Sequence, residues 1–285
     1  MKKNFKFAEN FKKNEFKIHN AYKLNNTSYK VCIVLPTYQR SDLCINVIDN
    51  ILKQTHVNWN LYVIDDGSEQ HHVDKKKQYI ENLCDGRIVF VKNVVNKKIP
   101  ATLNVGLKMF LESDCEYMTW ISDDNVYHDI YLDNLLLGGD FVYSAFLLKS
   151  DYYVFVDKQY SDVNDILNCF HGLGSFMWSR NAITILGNYD ENLFLCEDYE
   201  YLLRTFLLIK DRKYSKVVGM EHILSEDSLT IKQNSENKKI ASKIKNVYLF
   251  VTDFSKNWCN KERENLVNMI RILFEKDYCN YIECP

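Results

Sequence analysis

Four short apolar runs alternate with three amphipathic ones between residues 31 and 121, and that alternation restricts the chain to few folds. "VCIVLP" (Val31 to Pro36), "LYVI" (Leu61 to Ile64), "RIVFV" (Arg87 to Val91) and "YMTWI" (Tyr117 to Ile121) have the length and composition of strands. The first is apolar throughout, as a strand covered on both faces must be. Between them, "SDLCINVIDNILKQT" places Leu43, Val47, Ile48, Ile51 and Leu52 on one helical face, with Ser41 as the expected N-cap. "HHVDKKKQYIENL" reads as an exposed helix, and "PATLNVGLKMFLES" as a helix with Pro100 in its first turn. Strands alternating with helices imply an α/β fold, a mostly parallel sheet with helices on both faces.

The regularity stops near residue 137. "FVYSAFLLK" and "DYYVFVD" read as two consecutive strands turning at Ser150, which predicts a mixed-strand half. A glycine loop, "HGLGS", follows, then a helix from Arg180 to Leu186 and a strongly periodic one over "EDYEYLLRTFLLIK". "KKIASKIKNVYLFVTDF" and "KERENLVNMIRILFEK" predict two amphipathic C-terminal helices that pack on the domain. The expected organisation is an N-terminal arm (1–29), a main domain (30–235, in halves 30–137 and 138–235) and a C-terminal helical extension (236–285).

A chain of 285 residues with 46% apolar residues can enclose a sizeable core, and a net charge of −2 gives no global attraction to nucleic acid. The nine cysteines include no CxxC and sit largely within apolar runs, as small core residues of a reducing compartment do. No leader or spanning segment is evident, so the expected location is cytoplasmic, with peripheral membrane attachment left open. The "NNTS" at Asn25 would be a glycosylation sequon only in a secreted protein.

Two of the apolar runs end in paired carboxylates: "LYVIDDGS" carries Asp65 and Asp66, and "TWISDDN" carries Asp123 and Asp124. Turn chemistry accounts for either pair alone. Both pairs, however, follow strands of one sheet and so lie along the edge where open α/β sheets bind ligands. If neighbouring strands carry them, four carboxylates converge, and such a cluster needs a cation or ligand donors to stay ionised. Oxygen ligation of this kind suits Mg²⁺ or Mn²⁺ shared with a substrate's phosphates. "CEDYEYLLR" opens a helix with Glu197 and Asp198, where acids suit the helix dipole and where a general base could stand. His222, following the short strand expected over "KVVG", can reach the same edge.

In this order the motifs resemble the inverting glycosyltransferases of family 2, which have the Rossmann-like GT-A fold. The resemblance covers roughly residues 30 to 230. "VCIVLPTYQR" is similar to the family's opening strand, "DDGS" to its nucleotide-binding turn and "ATLNVGLK" to its Asn-x-Gly helix. "SDDN" resembles a variant of its metal motif, "GNYDENLFLCEDYEYLLR" the stretch with its catalytic acid, and "EH…S..S" its late histidine. Two departures are Leu103, where the family often has arginine, and Ser122 in place of the first metal-motif aspartate.

The resemblance implies a nucleotide pocket of Pro36, Thr37, Tyr38, Arg40, Asp66, Asn104 and Asp123. It implies a metal held by Asp124 and His222, and a base, Asp198, with Glu197 steering a sugar. Gly172, Gly174, Glu197 and Arg204 would flank the donor sugar and acceptor. The expected partners are a nucleotide-sugar, a UDP-sugar first, and an acceptor glycan, protein or small molecule. Mn²⁺ or Mg²⁺ is the expected cofactor, and self-association is open. One rival reading is a non-catalytic scaffold that keeps the nucleotide pocket. Another is a nucleotidyltransferase, against which the absence of glycines from "LPTYQRSD" argues.

Overall fold

The computed structural model describes residues 28–150, 153–169, 173–224 and 234–255. Most of the expected N-terminal arm, and the second C-terminal helix, lie outside the described residues. The strands are β1 (Val31–Thr37), β2 (Trp59–Asp65), β3 (Ile88–Lys92), β4 (Tyr117–Trp120), β5 (Val126–Tyr127), β6 (Phe141–Ser144), β7 (Phe146–Lys149), β8 (Tyr153–Val156), β9 (Ser175–Ser179), β10 (Arg212–Ser215) and β11 (Met220–Ile223). The helices are α1 (Ser41–Leu52), α2 (Gln70–Leu83), α3 (Lys98–Glu112), α4 (Tyr131–Leu135), α5 (Val163–Cys169), α6 (Arg180–Leu186), α7 (Glu197–Leu208) and α8 (Asn234–Ser255).

A seven-stranded sheet in the order β10-β6-β9-β4-β1-β2-β3 forms the centre. β1 pairs in parallel with β2 and β4, and β2 with β3, as the alternation requires. β9 runs antiparallel between β4 and β6, which makes the far half mixed. The even and odd positions of β1 explain its unbroken apolar run. Cys32 and Val34 join the core that includes residues of α3, α7 and α8, whereas Val31, Ile33 and Leu35 join the core that includes residues of α1.

"FVYSAFLLK" is two strands and not one. β6 belongs to the large sheet, and β7 belongs to a second sheet of order β5-β11-β7-β8. The change of sheet occurs at Ala145, whose N–H makes the last bond of the β6–β10 ladder, to the Ser215 carbonyl, before β7 begins. The expected turn at Ser150 does join antiparallel partners, β7 and β8. Ser41 begins α1 without capping it, because its hydroxyl meets His72 Nδ1 at 3.0 Å. α8 is part of the domain core: Ile244, Val247 and Tyr248 are fully buried, and the Tyr248 hydroxyl donates to Glu200 Oε1 of α7 at 2.7 Å. No described helix is long and apolar enough to cross a membrane.

Gly106 shows why "NVG" sits in α3. A Cβ there would stand 2.5 Å from a Val34 methyl, so glycine lets the helix lie directly on β1. Gly106→Ala should lower the unfolding free energy by about 1–3 kcal/mol, the usual cost of overpacking. A denaturant titration would read it as a lower midpoint at unchanged slope.

Candidate active site

The chain runs from β1 to β2 and β3 on one side of the sheet and then returns to place β4 on the other. This reversal beside β1 is where open α/β sheets bind ligands. Pairing of β1 with β4 stops at Val34↔Trp120, and Ile121 N–H donates to the Val34 carbonyl at 2.9 Å. Pairing with β2 continues to Thr37↔Asp65. Pro36, whose missing donor would face the β4 side, therefore costs no ladder bond, and the two strands part beyond it.

Thr37 and Asp123 face each other across that opening. The Thr37 hydroxyl donates to Asp123 Oδ2 at 2.8 Å, and Arg40 Nη1 donates to Asp123 Oδ1 at 3.3 Å and to Asp124 Oδ2 at 2.8 Å. Burial pushes the Asp123 carboxyl up to about 6, against the pull of Thr37 and Arg40. Burial by itself would lower the Arg40 guanidinium, but the Asp123 and Asp124 charges outweigh it and leave it raised. Tyr38 is 44% exposed beside this cleft. Its ring face is thus available to a flat ligand.

His222 arrives on β11, which pairs antiparallel with β5 immediately after the acidic turn. Ile223 N–H donates to Asn125 Oδ1 at 3.0 Å, which fixes that strand to the turn. His222 lies within a strand and does not follow one; "KVVG" forms the connection between β10 and β11. Burial lowers the His222 pKa while the Asp124 charge opposes that shift, so the ring is neutral and has a lone pair to offer at neutral pH.

The first acidic pair does not join this cluster. β1 separates β2 from β4, so the expected meeting of four carboxylates does not occur. Asp65 turns into the interior and meets Lys76 of α2 at 2.5 Å, both side chains 0% exposed. Asp66 accepts the Asn93 amide and the Lys97 and Lys98 backbone N–H groups, each at 2.9 Å. It thereby holds the 93–98 loop against the Gly67 turn, where a Cβ would come within 2.6 Å of the Val95 and Asn96 backbone. A carboxylate oxygen has two acceptor directions, so Oδ2, with one donor, keeps a place for a ligand.

Glu197 and Asp198 open α7. Glu197 is 5% exposed, and its Oε2 has no hydrogen-bond partner among the described residues. Burial first, and then the Asp198 charge, raises its pKa. Asp198 is exposed, yet the protein around it desolvates the carboxylate enough to raise its pKa too. The expected lowering by the helix N-terminus is therefore outweighed.

Two links connect the start of α7 to the rest of the edge. Lys98 Nζ lies 5.6 Å from the Phe194 ring, which joins the Asp66 loop to the approach of α7. Tyr189 lies within reach of the Trp120 indole and close enough to Asp198 to feel its charge, and Trp120 ends β4 ahead of the acidic turn. Backbone strain marks the same places. Among the described non-glycine residues with left-handed φ, Gln39 (56°), Lys98 (71°) and Leu195 (83°) all border these segments. Such strain concentrates at functional sites. The fourth, Cys84, caps α2.

Other expected contacts are displaced. Asn104 donates to the Tyr189 carbonyl at 3.0 Å and to Glu191 Oε1 at 2.9 Å, and accepts the Tyr189 N–H at 2.8 Å. Its amide clamps the loop before α7, in place of the nucleotide contact expected of it. Arg204, 2% exposed, pairs with Glu200 and donates to the Leu186 and Asn188 carbonyls, so its guanidinium is held by the interior. At Gly174 a Cβ would meet the Phe146 ring at 2.7 Å and Met220 sulfur at 2.9 Å, so packing against the core demands that glycine. Gly172 and the serines of "EH…S..S" lie outside the described residues. Sequence reasoning missed Asn93, Ser68 and Tyr189. Ser68 and Tyr189 stood inside quoted motifs, which was the available signal; Asn93 stood in none.

Among the described residues no three His, Cys, Asp or Glu side chains stand close enough to enclose a metal ion. Asp124 and the neutral His222 offer two donors. Hard divalent ions with few protein ligands complete their shell with water and substrate phosphates. The Asp124 carboxylate thus suits Mg²⁺ or Mn²⁺ arriving with a diphosphate, not one held in a closed protein cage, and the His222 imidazole favours Mn²⁺ of the two.

Residues 32–181 match the family described as Glycosyl transferase family 2. WcaA of Escherichia coli (strain K12), named as a colanic acid biosynthesis glycosyl transferase, is 31% identical over 123 residues, 43% of this chain and 42% of its own. The glycosyltransferase RT0329 of Rickettsia typhi is 29% identical over 196 residues, 62% of this chain and 59% of its own. The chain therefore spans about half the length of these relatives. Among solved structures, S. aureus TarS 1–349 in complex with UDP superposes with a TM-score of 0.58 at 12% identity, covering 87% of this chain and 72% of that one. The mannosyltransferase PcManGT from Pyrobaculum calidifontis, in complex with GDP-Man and Mn²⁺, gives 0.57 at 15% identity, covering 88% and 70%. At such identities the likeness is one of fold.

Proposed function

The chain belongs to glycosyl transferase family 2, and from that premise we propose that it moves a sugar from a nucleotide-diphosphate donor to an acceptor hydroxyl with inversion at the anomeric carbon. The observation that carries this reading is the cluster at the parting of β1 and β4: Thr37, Arg40, Asp123 and Asp124, with His222 beside it. The donor is read as a UDP-sugar, which the UDP and UDP-GlcNAc complexes of TarS support; the GDP-Man complex of PcManGT keeps GDP-sugars as the second choice.

Tyr38 offers its exposed ring to the base, Asp66 Oδ2 takes a base or ribose donor, and Asp123 meets the ribose. Asp124 and His222 would hold a divalent ion, whose chemistry is to stabilise the charge gathering on the leaving diphosphate. The acceptor oxygen attacks the anomeric carbon, and the sugar–oxygen bond to the diphosphate breaks with its electron pair leaving on the diphosphate. The acceptor proton passes to Asp198. One displacement on an α-linked donor gives a β-linked product.

Calorimetry of UDP with Mn²⁺ and with EDTA tests the reading. Wild type should bind UDP at least about tenfold more tightly with Mn²⁺, a difference of about 1.4 kcal/mol. Asp124→Ala should remove that difference. Equal binding with and without EDTA in both proteins would end the metal assignment. Release of UDP from UDP-sugars, compared with GDP release from GDP-sugars, tests the donor class.

A further inference from the structure

We propose that Arg40 is a built-in counter-cation of the Asp123–Asp124 pair, which opposes a divalent ion until a nucleotide diphosphate takes up the guanidinium. The proposal rests on the metal-dependent reading above and concerns how metal and nucleotide depend on each other.

One nitrogen makes both contacts. Arg40 Nη1 is 3.3 Å from Asp123 Oδ1 and 2.8 Å from Asp124 Oδ2, so a positive charge lies between two negative ones. An ion approaching Asp124 meets that like charge among its nearest neighbours, and the repulsion lowers its affinity. The other guanidinium nitrogens, Nε and Nη2, make no hydrogen bond with the described residues, and the side chain is 31% exposed. Arg40 therefore holds the acids through one edge of its fork and has further donors to offer. A planar guanidinium suits paired phosphate oxygens better than it suits a single shared nitrogen between two carboxylates.

The backbone beneath it is fixed, so the exchange needs only a side-chain swing. Gln39 N–H donates to Ser68 Oγ at 2.9 Å, and Glu69 N–H donates to Gln39 Oε1 at 3.2 Å. These bonds tie the left-handed Gln39 to the turn after β2 and set Arg40 at the start of α1. A diphosphate reaching the cleft offers a new anion to Arg40. As the guanidinium moves to it, Asp123 and Asp124 become two uncompensated carboxylates, and their attraction for a divalent ion rises. By linkage, each ligand then strengthens the other to the same degree.

The test is a titration of the full chain with Mn²⁺, reading free ion by electron paramagnetic resonance, with and without saturating UDP. Wild type should bind Mn²⁺ weakly alone and more strongly with UDP. Arg40→Gln should bind Mn²⁺ alone roughly tenfold more tightly than wild type, within the usual range of coupling between sites. The gain on adding UDP should shrink by a similar factor. Arg40→Gln binding Mn²⁺ no more tightly than wild type in the absence of UDP would overturn the proposal. Should that variant fail to fold, Arg40→Lys, whose shorter reach draws the charge away from Asp124, should shift affinity in the same direction by less, and no shift overturns it equally. Wild type that ignores Mn²⁺ even with UDP removes the metal-dependent reading itself, and the two failures are told apart by that arm.

Discussion

Asp198→Asn is expected to cut turnover at least about a hundredfold and to leave UDP affinity nearly unchanged. General base assistance contributes about 10²–10⁴-fold, and an amide of the same shape cannot accept the acceptor proton. Asp198 stands at the first turn of α7 and takes no part in the bonds of the Thr37–Asp123–Arg40 cluster, so nucleotide binding should not sense the change. Its environment also predicts a pH profile. A helix N-terminus favours the charged carboxylate, but desolvation by the surrounding protein outweighs it and raises the pKa. The sign follows: below the raised value Asp198 carries a proton and cannot act as base. The acidic limb of the wild-type rate should therefore lie above the ordinary aspartate value of about 3.9. The amide of the variant cannot titrate, so its residual rate should lack that limb. Near-normal turnover, with the limb retained, would take the base role away from Asp198.

Much of this arrangement was legible in the order of residues. That β1, β2, β3 and β4 run parallel was readable from apolar runs of strand length alternating with helical ones; their order in the sheet was not. The helix over Arg180–Leu186 and the start of α7 at Glu197 were also readable, from periodicity and from the acids that open it. Local pattern failed where tertiary partners decide. Asp65 and Asp66 look alike in sequence, yet one is consumed by a buried lysine, whereas the other holds the backbone N–H groups of a loop some thirty residues on and keeps acceptor capacity to spare. Asn104 and Arg204 carry polar groups that a sequence pattern cannot distinguish from ligand contacts, and both are spent on backbone carbonyls. The break at Ala145 depends on β10 and β11, which lie about seventy residues further along and belong to different sheets.

Lys76 carries the other large expectation. "HHVDKKKQYIENL" reads as a solvated helix, but Val73, Lys76 and Ile80 form its buried face, at spacings that bring one helical stripe onto the sheet. Lys76 and Asp65 are both 0% exposed, and Asp65 Oδ2 has no well-aligned hydrogen bond among the described residues, so its charge is answered by the ammonium 2.5 Å away. Removing one member of such a pair leaves an uncompensated buried charge, at about 3–5 kcal/mol. That is a large part of the stability of about 5–15 kcal/mol typical of a domain. Lys76→Met should thus lower the denaturation midpoint sharply. Asp65→Asn alone should also destabilise, by stranding the ammonium. The double variant should recover a good part of the loss, since a neutral pair needs no mutual compensation, and a double-mutant cycle would return a coupling of at least about 1 kcal/mol. Additive losses in that cycle would mean that the two side chains do not depend on each other in solution. Asp65 also accepts the Ser68 N–H at 2.8 Å, and Ser68 in turn receives Gln39. The buried pair therefore lies under the turn that sets Arg40, and Lys76→Met should weaken UDP binding even at temperatures where the protein remains folded.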